Sequence, residues 1–402
     1  MNNWLSTSTF PAKSLATSLL GLMLYVPSTP GFAANAEVEF KPEPIGKVLS
    51  LPKPYPSHWI MALDSSFLHM LEGQVVVLDP LAEEVSDQYK GMYTASFMAA
   101  IAQSKERNEH YVAETFFSRG GRGGERTDVV AIYDPATLSV IEEIEIPPKR
   151  VGAIPKRIAM VLTNDQRFLL VYNFTPAQSV SVVDLESRKF VGEIDTPGCA
   201  FVIPTGKRGF SSICSNGALY SVRLNKKGKA ASTKRTKAFI DTNDDPVFEA
   251  YGSSSDTAYF PTFQGNVQPV KLSGNTAEPK TPWSLVTAKE REAGWRPGGS
   301  IPIANDKSGE LYVLMHPDGG DGTHKNGGGE IWVYDAANQS RSRKFELKNW
   351  GISLGMTGGD GRQLLTVVNA ELGIDIYDAA TGEYLNTIAA HLDTPFRVDG
   401  AN

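Results

Sequence analysis

Cysteine is almost missing from this sequence: Cys199 and Cys214 are the only two in 402 residues. Two thiols cannot build a four-cysteine zinc site, and without CxxC or CxxCH they offer neither a redox dithiol nor a haem attachment. Long apolar runs are as scarce. The one near the N-terminus, residues 15–26, is shorter than the roughly 20 residues that cross a bilayer, and no later segment approaches that length. A strong charge bias is lacking too. With 39 basic and 45 acidic residues, signs interspersed, the net charge of -6 recommends neither nucleic acid nor a membrane surface as partner. The densest basic stretch, RLNKKGKAASTKRTK from Arg223, reads as a solvated loop or strand face. Neither a nucleophile elbow nor an HExxH helix nor a phosphate loop is found.

What the N-terminus does contain sets an expected compartment. KSLATSLLGLMLYVPSTPGFAANA has Lys13, the apolar stretch, a proline break and the small-x-small pattern Ala34-Asn35-Ala36. This order predicts a secretory signal peptide over residues 1–36 and an exported, periplasmic mature chain from Glu37. In an exported chain an isolated cysteine pair is expected to be bonded. CAFVIPTGKRGFSSIC has two apolar arms around a Pro-Thr-Gly-Lys turn, so a hairpin would bring Cys199 and Cys214 together.

Repetition decides the fold. An alternating apolar phrase recurs as VVVLDP, VVAIYDP, VSVVDL, LYSVRL, VQPVKL, IWVYDA and IDIYDA, five copies ending in Asp79, Asp134, Asp184, Asp335 and Asp378. The spacing averages about 50 residues, within the range of propeller blades. Another strand precedes each phrase and a turn with a fourth strand follows it, as in FLLVYNF and ESRKFVGEI. The expectation is an all-β, seven-bladed β-propeller with four antiparallel strands per blade, one domain over residues 37–402. TPFRV near the C-terminus is expected to close the ring against residues 47–51. The one helix-like stretch, SLVTAKEREAGW, belongs in a loop between blades.

Within this frame HPDGGDGTHKNGGGEIWVYD, residues 316–335, joins the second and third strands of the sixth blade. His316, His324 and Asp318 are metal-ligand types. Yet their spacing inside a glycine-rich loop fixes no geometry, so a turn is expected, with Asp318-Gly319 and Asp321-Gly322 suited to positive φ. Arg119, Arg122 and Arg126 of SRGGRGGER read as a hairpin loop before an anion site. The tryptophans of the mature chain, Trp59, Trp283, Trp295, Trp332 and Trp350, are scattered and read as packing residues.

HPDGGDGTHK with EIWVYD, DDPVF from Asp244, PWSL from Pro282, GWRPGG from Gly294, GERTD from Gly124 followed by YDP, and the GC and IC cysteine phrases occur in this order. Together they resemble the heavy subunit of tryptophan tryptophylquinone amine dehydrogenases over most of residues 90–390, leaning toward the aromatic (aralkylamine) branch before the methylamine branch. AQSKERNEH and SRGGRGG depart from the family pattern.

The resemblance implies a periplasmic complex of two large and two small chains. The small, cysteine-rich chain carries the tryptophan tryptophylquinone; primary amines become aldehyde and ammonia, and electrons pass to a blue-copper protein such as azurin or amicyanin. It also implies that this chain is the cofactor-free large subunit, with no catalytic, cofactor-binding or metal-ligating residue of its own. GMYTASF would lie near the partner-facing end, where Met92 or Tyr93 would wall the amine channel. The other reading is a free-standing exported propeller, a lactonase-like hydrolase or a binding module.

Overall fold

The computed structural model describes residues 50–401 except His69, Leu71, Ile154 and residues 358–360; the expected signal peptide lies outside them. The described chain is an all-β propeller built of four-stranded antiparallel meanders. Middle strands such as Phe168–Asn173, Ser179–Asp184 and Leu364–Asn369 are buried along their whole length. Each is covered on both faces by neighbouring meanders, which is why they read as continuous apolar runs. Outer strands meet water. Ser340–Met356 alternates exposed and half-buried residues over its first part, and Ala230–Arg235, inside the basic stretch, is exposed throughout.

Among the described residues the hydrogen bonds define six sheets: four of four strands, one of five and one of eight. The eight-stranded sheet has a local cause. Ser340–Met356 pairs by its first half with Gly328–Asp335 and by its second with Leu364–Asn369, so two meanders share one 17-residue strand.

Pro395–Gly400 pairs with Ile60–Asp64, which closes the ring. The closing partner is therefore not residues 47–51. Of that segment, the described Ser50 and Leu51 lie outside strands, and Leu51 N–H bonds the Ala136 carbonyl. Near the closure, Gly355 allows two backbones to approach, since a Cβ there would collide with the Val398 carbonyl.

The strand-terminal aspartates are structurally equivalent. Oδ1 accepts from the backbone N–H two residues on at Asp79 (3.0 Å), Asp134 (2.7 Å), Asp184 (2.9 Å) and Asp335 (2.9 Å), and three residues on at Asp378 (2.9 Å). Each carboxylate caps the turn into the outer strand. Where the repeat ends in Leu224, Asn225 takes the role one residue later, accepting from Lys227 N–H at 2.8 Å. The expected helix is Ala288–Glu292, started by a capping box of Thr287 and Glu290.

Cys199 and Cys214 are bonded across Cys199–Pro204 and Gly209–Cys214, directly opposite in register and 15 residues apart. Replacing both by serine is expected to lower unfolding stability by about 3 kcal/mol, the closure entropy of a loop of that length. Denaturant melts of the two proteins measure this, and equal midpoints would show that the bond contributes nothing.

Candidate functional site

A cavity of about 900 Å³ opens at one end of the first three meanders. The ends of Tyr89–Ser96 and Glu109–Phe117, the start of Arg126–Tyr133 and the chain after Arg150 surround it. Its rim is apolar: Met70, Phe116, Phe117 and Phe174 are all exposed. Phe97 lines the wall and meets Phe67 edge-on at 5.7 Å, and Phe67 in turn lies 6.2 Å from Phe396. Monomeric proteins seldom leave so many large aromatics in one patch without a partner to cover them.

Beneath the rim lies a polar floor. Glu114, only 3% exposed, takes the Ser96 N–H on Oε1 at 2.8 Å. Ser96 Oγ accepts from Thr115 N–H (2.9 Å) and Arg150 Nη2 (3.2 Å), while Arg150 Nη1 donates to the Met98 and Val151 carbonyls. Asp128 receives Arg126 in a fork at 2.8 and 2.7 Å, together with the Arg150 backbone N–H. Arg126 is thus engaged within the chain. Arg119 and Arg122 lie exposed on the hairpin loop whose glycines line the cavity.

Burial drives the Glu114 carboxyl up to about 7, with Glu143 adding to it against the opposing Ser96 N–H and Arg150. Its neighbour on the same strand, His110, moves the other way. Burial lowers it to about 4, so it is neutral in the folded protein at ordinary pH.

The propeller axis holds a second cluster. Arg157 crosses from the third meander to donate to Asp399 (2.7 Å) and to the Leu354 and Val398 carbonyls. Arg397 approaches the other Asp399 oxygen at 2.7 Å. Burial pushes the Asp399 carboxyl up, but the Arg397 and Arg157 guanidiniums outweigh it and hold it below the usual carboxylate range. Next to Arg157, Lys156 reaches the Ser300 carbonyl at 3.0 Å and Glu249 at 3.3 Å.

The residues singled out in the sequence fall as follows. Met92 is exposed on its strand; Tyr93 is buried, stacked on Tyr133 at 4.3 Å and 3.3 Å from His110 Nδ1. The same stretch reaches the cavity further on, through Thr94 to Phe97. His316 ends Glu310–His316 in the core, while His324 stacks on Phe263 at 4.2 Å. Positive φ falls on Asp318 itself and on Gly322. Among the described residues no three His, Cys, Asp or Glu side chains gather as metal ligands.

Two readings need correction. The tryptophans are not all scattered, because Trp295 and Trp332 lie 5.0 Å apart, with Arg341 over the Trp332 ring at 4.2 Å. Both come from the region of the shared double sheet, which sequence distance conceals. And Gly351-Ile352-Ser353-Leu354-Gly355 does have nucleophile-elbow spacing. Ser353, however, is 1% exposed inside a continuous strand and not on a strand-to-helix turn, so the letters carry no such chemistry. Glu114 was missed outright. Its signal is an acid directly after the Tyr111-Val112-Ala113 run, in phase with the buried Val112.

The methylamine dehydrogenase heavy chain family matches residues 58–397. A methylamine dehydrogenase heavy chain from Methylorubrum extorquens is 31% identical over 280 residues, covering 69% of this chain and 67% of that protein. Another from Methylobacillus flagellatus is 26% identical over 390 residues, covering 94% and 95%. Among solved structures, the periplasmic gluconolactonase of Pseudomonas aeruginosa superposes with a TM-score of 0.56 at 13% identity, covering 85% of this chain and 97% of that one. At that identity the likeness concerns the fold alone.

Because Glu114 has a raised folded-state pKa, the native protein holds its proton where the unfolded chain has released it. Stability from this group is full below about pH 4.5 and is lost as pH rises toward about 7. Substituting Glu114→Gln should therefore change stability relative to the parent by up to about 3 kcal/mol in the variant's favour between about pH 5 and 8. Denaturant melts of both proteins across that range test it. A difference independent of pH would show that Glu114 does not titrate with folding.

Proposed function

The chain belongs to the methylamine dehydrogenase heavy chain family, and from that premise we propose that it is the large, cofactor-free subunit of a periplasmic quinoprotein amine dehydrogenase. The observation that carries the reading is a family match extending over nearly the whole ring, residues 58–397. In this reading the ring is the rigid platform for a small, cysteine-rich chain that bears tryptophan tryptophylquinone, two large chains assembling with two small ones. The exposed rim of Phe116, Phe117 and Phe174 is the surface that chain covers, and the cavity behind it becomes part of the substrate entrance, with Thr94 to Phe97, the continuation of the Met92-Tyr93 stretch, in its wall.

Seven blades are part of the proposal. Counting the double sheet as two, the support is that seven apolar clusters bridge successive meanders among the described residues, the last returning to the first. An aromatic amine is the proposed substrate, in keeping with the aromatic wall; aldehyde and ammonia are the products, and a blue-copper protein takes the electrons. Amine oxidation of this kind needs an electrophilic carbonyl and a base positioned at the α-carbon. The quinone on the partner supplies the first. This chain contributes orientation and exclusion of water.

A free-standing lactone hydrolase would call for acidic and amide side chains around a metal on the axis. Here Arg157 and Arg397 hold the axial Asp399 instead.

Expressed without a partner, the chain should show no quinone absorbance and no turnover of phenylethylamine, tyramine or methylamine with an artificial electron acceptor. Activity should appear when the small chain is added. Sustained turnover by the chain alone would reject the scaffold reading.

A further inference from the structure

Glu114 presents an unresolved electrostatic problem. Ser96 N–H serves one carboxylate oxygen, and among the described residues the other has neither a hydrogen bond nor an ion-pair partner within 4.0 Å. Neither nearby arginine bonds it: Arg126 is held by Asp128, and Arg150, whose charge favours the Glu114 carboxylate from a distance, donates through its two Nη atoms to the Met98 and Val151 carbonyls and Ser96 Oγ. Of the charged groups that line the cavity, two carboxylates (Glu72, Glu114) face two guanidiniums (Arg126, Arg150), and the buried Asp128 behind them holds Arg126 in a fork. Glu143 adds to the negative field at Glu114. A buried carboxylate in this position is costly to ionise without a counter-charge, and the cavity beside it is open to solvent from the rim.

We propose that this cavity binds an organic ammonium ion with an apolar tail, the Glu114 carboxylate acting as counter-ion to the ammonium and the phenylalanines receiving the tail. The volume, about 900 Å³, is in the range that holds a small organic molecule. Phe97, Phe116, Phe117 and Phe174 offer ring faces and edges both to an aromatic tail and, by cation–π attraction, to the ammonium itself. A primary amine with a pKa near that of lysine is protonated in neutral water, so it arrives as the ion this site fits. The inference deepens the amine dehydrogenase reading: Glu114 becomes a group that selects and concentrates cationic substrate ahead of the quinone. It is a binding residue, with no role assigned in the oxidation itself.

The test is a calorimetric titration of the full chain at about pH 8 with 2-phenylethylammonium, beside its neutral isostere 2-phenylethanol and methylammonium. Saturable binding of the aromatic ammonium is expected. It should be weaker by about tenfold or more for the alcohol, and again for the Glu114→Gln protein, because a charge-assisted hydrogen bond is lost in each case. Methylammonium, lacking the tail, should also bind more weakly. The Glu114→Asp protein, which keeps the charge, should retain part of the affinity, and denaturant melts establish that both variants are folded.

Equal binding of alcohol and ammonium, or unchanged binding by the folded Glu114→Gln protein, would overturn the proposal. So would a complex with the small chain that no longer binds the ammonium and whose assembly itself requires Glu114, since the counter-ion would then be a side chain of the partner. The two readings fail separately. A complex without quinone absorbance removes the dehydrogenase assignment and leaves the titration standing, whereas a failed titration in a chain that assembles with a quinone-bearing partner removes only the ammonium site.

Discussion

The pairing of Pro395–Gly400 with Ile60–Asp64 is the constraint on which the ring depends. A meander alone exposes both faces of its apolar middle strands, and each is covered only because another meander stands on either side. That mutual covering ends where the chain ends, unless the last segment returns to the first. Once it does, Val398 and Ile60 join a cluster with Leu364 and Ile376, and the final meander packs on the opening one. The strand that closes the ring also brings Arg397 and Asp399 to the axis, where Arg157 meets them. Closure and axial ion pairing are therefore consequences of the same six residues.

Much of this architecture was legible because it follows from period and alternation. The aspartates after the third strands announced their turns, and Asn225 shows why one repeat lacked the letter without lacking the turn. The cysteine hairpin was legible for the same reason, as local spacing fixes a local register. What escaped depends on contacts between distant segments. Nothing near Trp295 says that Trp332 will lie against it, and nothing in TPFRV distinguishes residues 47–51 from Ile60–Asp64 as its mate. The cavity belongs to this second kind. Met70, Glu114, Arg150 and Phe174 come from four separate stretches, and only the stacking of three meanders puts them around one space.

The two charged clusters of the molecule differ in a way that separates structure from function. At the axis, each oxygen of Asp399 faces a guanidinium, and the carboxyl is held below its ordinary range. Such paired charges fix geometry. At the cavity the guanidiniums of Arg126 and Arg150 hydrogen-bond other groups, and Glu114 keeps one oxygen without a hydrogen bond among the described residues. Burial raises its proton affinity, and the surface around it is aromatic and exposed.

The 17-residue strand Ser340–Met356 has a mechanical meaning. Elsewhere around the ring, one meander gives way to the next through a connection that leaves the ladder, so neighbouring units can breathe against each other at a seam. Between the last two meanders the backbone runs from the outer edge of one to the axis of the other without leaving the sheet. Those two must open together or not at all, and amide exchange across them should report a single cooperative block. The cavity lies among the first three meanders, built as separate sheets. The molecule thus has a stiff quarter and a more divisible remainder, and the cavity belongs to the divisible side.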